Sequence, residues 1–300
     1  MKTPLVIMAL VFTTFCNLSV SQNSIKNKQE VRIPDGRYFG LKAPGMTPEI
    51  FAPEIRFFKE GKVSFIFFAP DGKAFYFTAG DTTYYIKLLH GHWNKPEVAD
   101  FLVKEGKTGV LNISPDGKLL LFNKDGDIMV CKRNGEGWSS PEKLPEQISS
   151  DKYECGSSMA MDHSIFYASQ REGTKGHCDI YYSRFEDGKY KAPVNLEKFN
   201  TPGSECGVIV SPKEEFIIFT SYGRPAGYGI NDMYVSFPLK DGSWSEPENM
   251  GAQINTPESE WPLCLSPDGK YFFFIRSDVS DKSSKIYWVD SKIVRQLKNN

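Results

Sequence analysis

Short apolar strands alternate with glycine-containing turns along most of the chain. The stretch ISPDGKLLLFNKDGDIMV, residues 113–130, is typical, because an apolar strand meets a PDG turn and a second apolar strand follows. Proline presets φ, aspartate can bond its own backbone and glycine accepts a positive φ, so SPDGK predicts a hairpin turn. The consecutive apolar residues of LLLF predict a strand that is buried on both faces. The pattern therefore predicts a β-structure of closely stacked sheets.

The pattern returns in five copies. Each copy has a strand, a turn, a second strand rich in aromatic residues, a loop of variable length and a third strand, and four copies continue into an outer segment. The third and fourth copies lose the PDG letters but keep the flanking strands. Successive turns are separated by 45, 46, 51 and 55 residues, at Asp71, Asp116, Asp162, Lys213 and Asp268. This period is typical of the four-stranded blade of a β-propeller.

The fifth copy ends after its third strand, and the missing outer strand is expected from the other end of the chain. Ile50–Glu54 matches the register of Trp93–Glu97 and Trp138–Glu142. Pairing it beside the last copy would hide an open sheet edge. The prediction is an all-β, five-bladed β-propeller of four-stranded antiparallel blades, closed by an N-terminal outer strand. A six-bladed propeller with a divergent first blade is the alternative.

Three motifs carry a family resemblance. SPDGKLLLF, GHCDIYYS and INDMYVS resemble the WD40-like repeats of TolB-type propellers, and the resemblance spans roughly residues 45–290. It implies the propeller fold but no particular activity, because such propellers serve many tasks. TolB itself carries an additional α/β domain before its propeller, and residues 22–47 are too short for one, so a Tol–Pal role is not implied.

The first residues have the features of a cleaved secretory signal. Lys2 precedes an apolar run at Leu5–Phe12, and Ser19-Val20-Ser21 offers small residues before a cut at Gln22. The run is too short to span a bilayer, so no transmembrane segment is expected in the mature chain. A lipoprotein attached at Cys16 is disfavoured by the bulky Phe15. We expect a signal peptide at 1–21, an arm at 22–46, a propeller at 47–300, and a periplasmic or secreted protein.

The composition of the chain limits the classes of binding partner that are expected. The formal net charge is −1, which disfavours nucleic acid because no basic surplus exists to displace counterions from phosphates. A monomer is the expected state. Five cysteines remain after cleavage and none has a CxxC zinc spacing, so small buried thiols are favoured over disulfides: Cys131, Cys155, Cys178, Cys206 and Cys264.

The predicted working surface is built from the loops between second and third strands, which are longest in copies three to five. Glutamates stand eight residues before the turn position in these copies, at Glu154, Glu205 and Glu260. Three equivalent carboxylates could bind a cationic group or a divalent cation at the channel mouth, or act as an acid/base pair. Arginines that recur after the second strand could bind carboxylates or sulfates of a ligand: Arg171, Arg224 and Arg276.

A structural explanation competes with this one. A glutamate and an arginine that recur once per blade, together with Asp179 and Asp232, are typical of ion pairs between blades. His177 lies in the loop of the third copy, and Tyr222 and Trp261 would suit stacking on sugar rings. The pair His90 and His92 lacks a nearby third metal ligand.

The leading functional hypothesis is an exported, non-catalytic binding or scaffold propeller that recognises a glycan, a peptide or an envelope protein. The GxSxG, HExxH, Walker and GxGxxG motifs are all absent, and no cofactor is predicted. The alternative is a polysaccharide-active hydrolase or lyase that uses the same face. A glycosidase needs two carboxylates about 5–10 Å apart in an open cleft, which separates the two hypotheses.

Overall fold

The computed structural model describes residues 33–103, 111–135, 137–280 and 283–299. The predicted signal peptide lies outside these residues. The described part of the chain is all-β, and its helices are single short segments at α1 (Arg56–Lys59), α2 (Asp100–Val103) and α3 (Lys292–Gln296), with 3-10 turns at Arg37–Gly40 and Leu297–Asn299. None of the described helices has the length and apolar character that a bilayer crossing requires.

The strands form antiparallel units that follow the sequence repeats. Strand β1 (Glu49–Ile50) precedes them. Unit 1 holds β2 (Val63–Phe68), β3 (Ala74–Ala79), β4 (Thr82–Leu89), β5 (His92–Trp93) and β6 (Glu97–Val98), and unit 2 holds β7 (Leu111–Ile113), β8 (Leu119–Lys124), β9 (Asp127–Asn134), β10 (Gly137–Trp138) and β11 (Glu142–Lys143). Unit 3 holds β12 (Glu154–Met159), β13 (Ile165–Ser169), β14 (Asp179–Ser183), β15 (Phe185–Glu186), β16 (Lys189–Tyr190) and β17 (Val194–Asn195). Unit 4 holds β18 (Ser204–Val210), β19 (Ile217–Tyr222), β20 (Asn231–Ser236) and β21 (Glu248–Asn249), and unit 5 holds β22 (Ser259–Leu265), β23 (Tyr271–Asp278) and β24 (Ser283–Asp290).

The PDG turns adopt the geometry that their residues favour. In the unit 2 turn, Asp116 accepts hydrogen bonds from the Ser114 hydroxyl at 2.6 Å and from the Lys118 amide at 3.1 Å, and Gly117 has a φ of 74°. In the turns that lack glycine, His163 and Glu214 take positive φ values of 70° and 56°. Asparagine, aspartate and histidine tolerate this region better than most residues, whereas Glu214 is less usual there. The hairpins therefore persist where the sequence motif is lost.

The N-terminal segment completes the sheet of unit 5, as the sequence predicted. Strand β1 pairs antiparallel with β24, with Glu49 opposite Trp288 and Ile50 opposite Tyr287. The Phe51 amide extends this pairing with a 2.8 Å hydrogen bond to the Ile286 carbonyl. The strand is shorter than the predicted segment, because the chain turns into α1 soon after Phe51.

Aromatic rings fill the junction between units 5 and 1. Phe51 is fully buried, and its ring lies 5.1 Å from Phe273 and 5.2 Å from Trp288 between ring centroids. Phe39 contacts Phe75 edge-on at 5.2 Å. Tyr38 and Phe39 both have a positive φ, a strained state for bulky residues that the surrounding rings hold in place.

The first strands of the units contact each other in succession, β2 with β7, β7 with β12, β12 with β18, β18 with β22, and β22 with β2. Apolar clusters occupy the space between facing sheets; for example, Phe166 and Ile180 of unit 3 share a cluster with Val208 and Phe219 of unit 4. No sheet among the described strands closes on itself, since each strand order has two ends. The strands of units 4 and 5 belong to one eight-stranded sheet, joined by the parallel pair Asn231 and Ser259. Stacked sheets of this kind are consistent with a propeller.

Candidate functional site: the loop face of units 3 to 5

The loop face consists of residues 149–154, 170–178, 199–205, 222–230 and 254–260, which interleave at one edge of units 3 to 5. The Gln170 amide donates to the Tyr153 carbonyl at 2.9 Å, and the Glu205 amide donates to the Cys178 carbonyl at 2.8 Å. The Ile230 amide donates to the Glu258 carbonyl at 3.2 Å. The chain entering units 3, 4 and 5 is thus joined to a loop between second and third strands.

Glu154 begins the first strand of unit 3 and is fully buried. Its carboxylate accepts hydrogen bonds from the Ser150 amide at 2.9 Å, the Ser150 hydroxyl at 2.6 Å and the Ser169 hydroxyl at 2.8 Å. The Arg171 guanidinium adds an ion pair at 3.5 Å. These four donors satisfy a carboxylate that would otherwise be costly to bury.

Glu205 and Glu260 occupy the same position in units 4 and 5, and both are fully buried. Glu205 accepts from the Thr201 amide at 2.9 Å and from the hydroxyls of Thr201 and Ser221, each at 2.7 Å. Glu260 accepts from Arg276 Nε at 2.9 Å and from the Thr256 hydroxyl. Within the described part of the chain, Glu260 Oε2 is buried without a hydrogen-bond partner.

The recurring arginines share two contacts in all three units. Each guanidinium stacks over an aromatic ring of the third strand, at 4.9 Å for Arg171 over Tyr181, 4.7 Å for Arg224 over Tyr234 and 4.6 Å for Arg276 over Tyr287. Each also donates to a backbone carbonyl of the segment that enters its unit, namely Ile148, Phe199 or Ile254.

A third element ties the entering segment to the preceding unit. Asn200 bonds both backbone polar groups of Ile180, at 2.7 and 3.0 Å, and Asn255 bonds those of Met233, at 2.8 and 2.9 Å. Ser149 contacts Ile128 in the same way, at 3.2 and 3.4 Å. We call the buried glutamate, the stacked arginine and this Asn or Ser the junction clamp.

The prediction that these residues form ion pairs between blades is therefore wrong, because the observed pairs lie within one unit. Glu154 and Arg171, like Glu260 and Arg276, belong to one unit, and the arginine spans to the backbone of the entering segment. Asp179 and Asp232 accept backbone amides of their own loops, from Lys175 at 2.8 Å and from Tyr228 at 2.6 Å, rather than pairing with an arginine.

Burial raises the pKa of two of the glutamates, Glu205 and Glu260. Burial raises the pKa of Glu205, against the opposing effect of the hydrogen bonds from Ser221 and Thr201. Burial also raises the pKa of Glu260, although the bonds from Thr256 and the Arg276 charge lower it in part. A raised pKa is typical of a general acid, but a fully buried carboxyl that faces its own chain has no access to a substrate.

The loop face exposes charged side chains beside unit 3, at Asp151, Lys152, Glu172 and Lys175, and aromatic side chains in unit 4. Tyr222 is 40% exposed and Tyr228 is 48% exposed, while Trp261 is half-buried. The Trp261 indole donates to the Ser259 hydroxyl at 3.0 Å, and its ring covers Gly207. His177 is exposed and Nδ1 of its ring lies 3.3 Å from Gln170 Nε2.

The aromatic loop of unit 4 is held rigidly. Asp232 accepts from the amides of Tyr228 and Gly229, at 2.6 and 3.1 Å. A side chain at Gly229 would collide with the Thr256 and Glu258 carbonyls, at 2.2 and 2.4 Å from a Cβ. Tyr228 therefore stands on a loop that is pinned to its neighbours, and Tyr222 ends strand β19 immediately before that loop.

Sequence reasoning missed Tyr153 and the entering segments. Tyr153 lies in the segment that enters unit 3, is 42% exposed and packs against Gly126 of unit 2. The segments that enter the three units read ISS, FNT and INT, at 148–150, 199–201 and 254–256. The last residue of each segment is four residues before a clamp glutamate. That repeated spacing was a readable signal for the clamp.

Metal ligation has little support on this face. No group of three or more His, Cys, Asp or Glu residues within the described ranges is arranged to hold a metal ion. Of the His90–His92 pair, His92 instead lies 2.9 Å from Asp35.

Comparison with known proteins gives structural likeness at low sequence identity. No protein-family profile matches the chain, and no curated protein matches it. A candidate TolB protein from Agrobacterium tumefaciens is 21% identical, with 76% of each chain covered and a TM-score of 0.49. An auxiliary nutrient binding protein from Bacteroides ovatus is 10% identical, with 85% of this chain and 61% of that chain covered and a TM-score of 0.47. The chain is thus similar to these solved structures, at identities too low to say what it binds.

Proposed function

We propose that this chain is an exported, non-catalytic binding propeller of five blades, which recognises a glycan, a peptide or an envelope protein through its loop face. The five-bladed ring is supported by the successive contacts of the first strands, which return from β22 to β2, and by the pairing of β1 with β24. Export is supported by the sequence of residues 1–21 alone.

One observation carries the choice of binding over catalysis. Glu154, Glu205 and Glu260 are each fully buried and bonded to their own unit, so none faces an open cleft. A glycosidase needs two accessible carboxylates that flank the scissile bond. The hydrolase or lyase alternative would have to find its acid and base elsewhere on the molecule.

The aromatic loop of unit 4 is the best-supported ligand contact. Tyr222, Tyr228 and Ile230 expose 40%, 48% and 43% of their surfaces within nine residues of chain. Exposed tyrosines offer a flat apolar face and a hydroxyl, and a rigid loop loses little entropy on binding. Arg224 is the single charged side chain in residues 222–230, and its guanidinium is already engaged. An uncharged ligand such as a neutral glycan suits this surface best.

A glycan array screened with the mature protein tests the proposal. Binding should fall at least about tenfold in Tyr222→Ala and in Tyr228→Ala, since aromatic anchors dominate contact energy. Leu239→Ala is the matched control, because Leu239 is 44% exposed outside the loop face. Binding that survives both tyrosine substitutions, or turnover of a bound glycan by the wild type, would contradict the proposal.

A further inference from the structure

The turns of units 1 and 5 form a cleft at the edge of the sheets opposite the loop face. Each of these turns joins the first and second strands of its unit, whereas the loop face is built where the second strand leads to the third. The cleft has a volume of about 110 Å³. Its lining includes two arm residues, two aromatic residues of unit 1 and the aspartates of the two turns, namely Arg37, Tyr38, Phe68, Trp93, Asp71 and Asp268.

The arm that forms one wall of the cleft is fixed by three contacts. The Trp93 indole donates to the Gly36 carbonyl at 2.8 Å. The Tyr38 hydroxyl donates to Asp268 at 3.0 Å, and the Tyr38 ring packs edge-on against Phe68 at 5.4 Å between ring centroids. Because these contacts already hold the wall in place, little conformational freedom is lost when a ligand binds.

The turn aspartates of units 2 and 5 are bonded by more than their own backbone. Asp116 accepts the Ser114 hydroxyl at 2.6 Å, and its second oxygen lies 3.0 Å from Nε2 of His163. Asp268 accepts a serine hydroxyl at 2.7 Å, and its second oxygen lies 3.6 Å from the Arg37 guanidinium. Each oxygen of these two carboxylates therefore has a donor or a positive charge beside it.

Asp71, the turn aspartate of unit 1, has fewer partners. Ala69 stands where the other two turns have a serine, so no hydroxyl is available. Within the described part of the chain, its carboxylate accepts a single hydrogen bond, from the Lys73 amide at 2.9 Å. A carboxylate can accept about four hydrogen bonds, so Asp71 can still accept donors from a ligand.

The charges of the cleft favour a cation. Arg37 is the one positive side chain among the lining residues and lies beside Asp268, so Asp71 supplies the uncompensated charge. Phe68 and Trp93 are 3% and 7% exposed and add an apolar surface. A cavity of about 150 Å³ holds one benzene molecule, so this cleft takes the end of a chain rather than a whole sugar. We propose that it binds a primary alkylammonium group, with the ammonium on Asp71 and the alkyl stem against Phe68.

A titration of the isotope-labelled mature protein with n-butylamine hydrochloride, followed by proton–nitrogen NMR, tests the proposal. The Trp93 indole N–H and the Lys73 amide should shift together and saturate, with a millimolar dissociation constant as expected for so small a ligand. Butanol and butyrate share the alkyl stem but lack the positive charge, so neither should give a saturable shift. The site shares no residue with the loop face, so its test is independent of glycan binding.

Two variants and a matched control separate charge from shape. Asp71→Asn keeps an acceptor for the Lys73 amide but removes the charge, and it should weaken binding at least about tenfold. Arg37→Gln removes a competing positive charge, so it should tighten binding about two- to threefold at low salt. Asp241→Asn is the control, because Asp241 is the exposed aspartate of an Asp-Gly turn in unit 4, and it should bind as the wild type does.

Nα-acetyl-lysine methylamide distinguishes the two sources of the group. Binding as tight as that of n-butylamine would assign the cleft to a lysine side chain of a partner protein, and weaker binding would assign it to a free amine. The proposal is overturned if the Trp93 signal shows no saturable shift, or if butanol or butyrate binds equally well. It is also overturned if Asp71→Asn binds as tightly as the wild type, or if Arg37→Gln weakens binding. Both substituted side chains are exposed, and the same spectra report whether each variant is folded.

Discussion

The junctions at which the chain enters units 3, 4 and 5 are held by buried carboxylates and stacked guanidiniums. The junction between units 5 and 1 is held instead by packed Phe, Tyr and Trp rings. Val63 of unit 1 occupies the position of Glu154 and is 3% exposed. Polar clamps are directional, because each donor needs one acceptor at one place. Aromatic packing tolerates small adjustments. The difference indicates that units 3 to 5 need fixed loops, and the exposed tyrosines lie on those loops.

The largest effect is expected from Glu154→Ala. The substitution leaves the Arg171 guanidinium and the Ser150 amide facing an empty site, and removing one partner of a buried pair costs about 3–5 kcal/mol. Val63→Ala is the matched change in unit 1, and it removes two methyl groups at about 0.8 kcal/mol each. Urea unfolding measures both. Equal losses would remove the distinction between clamped and unclamped units.

Phe51→Leu tests the aromatic junction with a milder change. Phe51 is fully buried against Phe273 and Trp288, so losing its ring should lower the free energy of unfolding by about 1–2 kcal/mol. Ile50→Ala, at a neighbouring residue that is 39% exposed, should change it by less than about 0.5 kcal/mol. A loss as large as that of Glu154→Ala would mean that the aromatic junction is as specific as the clamp.

Arg276→Lys separates charge from shape within a clamp. Lysine keeps the charge near Glu260 but loses the planar stacking on Tyr287, and it cannot reproduce both the Nε bond and the bond to Ile254. We expect a loss of about 1 kcal/mol, in line with a partly buried cation–π contact. Unchanged unfolding would indicate that the ion pair alone holds this junction.

The smallest effect is a pH dependence. The pKa of Glu205 is raised by burial, so its contribution to stability is fully present below the ordinary value of 4.5 and is lost as pH rises through the folded pKa. The Glu205→Gln variant lacks this titratable carboxyl. Its urea midpoint should therefore fall less than that of the wild type between pH 4.5 and pH 8. Identical pH dependence of the two proteins would exclude this role.

The repeat, the turns and the N-terminal pairing were readable in the sequence because each depends on local chemistry. PDG favours a hairpin turn through its own three residues, and IFAPE matches the outer segments of the first two copies. The pairing of Ile50 with Tyr287 confirms the long-range part of that prediction.

The site was harder to predict, because burial is not written in a residue's identity. A glutamate at the start of the first strand of a unit could bind a ligand or belong to a clamp. The hydrogen bond from the Ser or Thr four residues earlier shows that Glu154 and Glu205 belong to clamps. Nor does the sequence state which unit each arginine joins. Tyr228 needed no such knowledge, since it stands in the long loop after β19.

The most direct test of the clamp is native-state hydrogen exchange of the Ser150 and Thr201 amides, whose acceptors are the buried carboxylates of Glu154 and Glu205 at 2.9 Å. We predict that both amides are protected to the same degree as the amides of the paired strands β13 and β14 in the core of unit 3. Exchange at the rate of an exposed loop amide would contradict the clamp and return these glutamates to the candidate ligand groups.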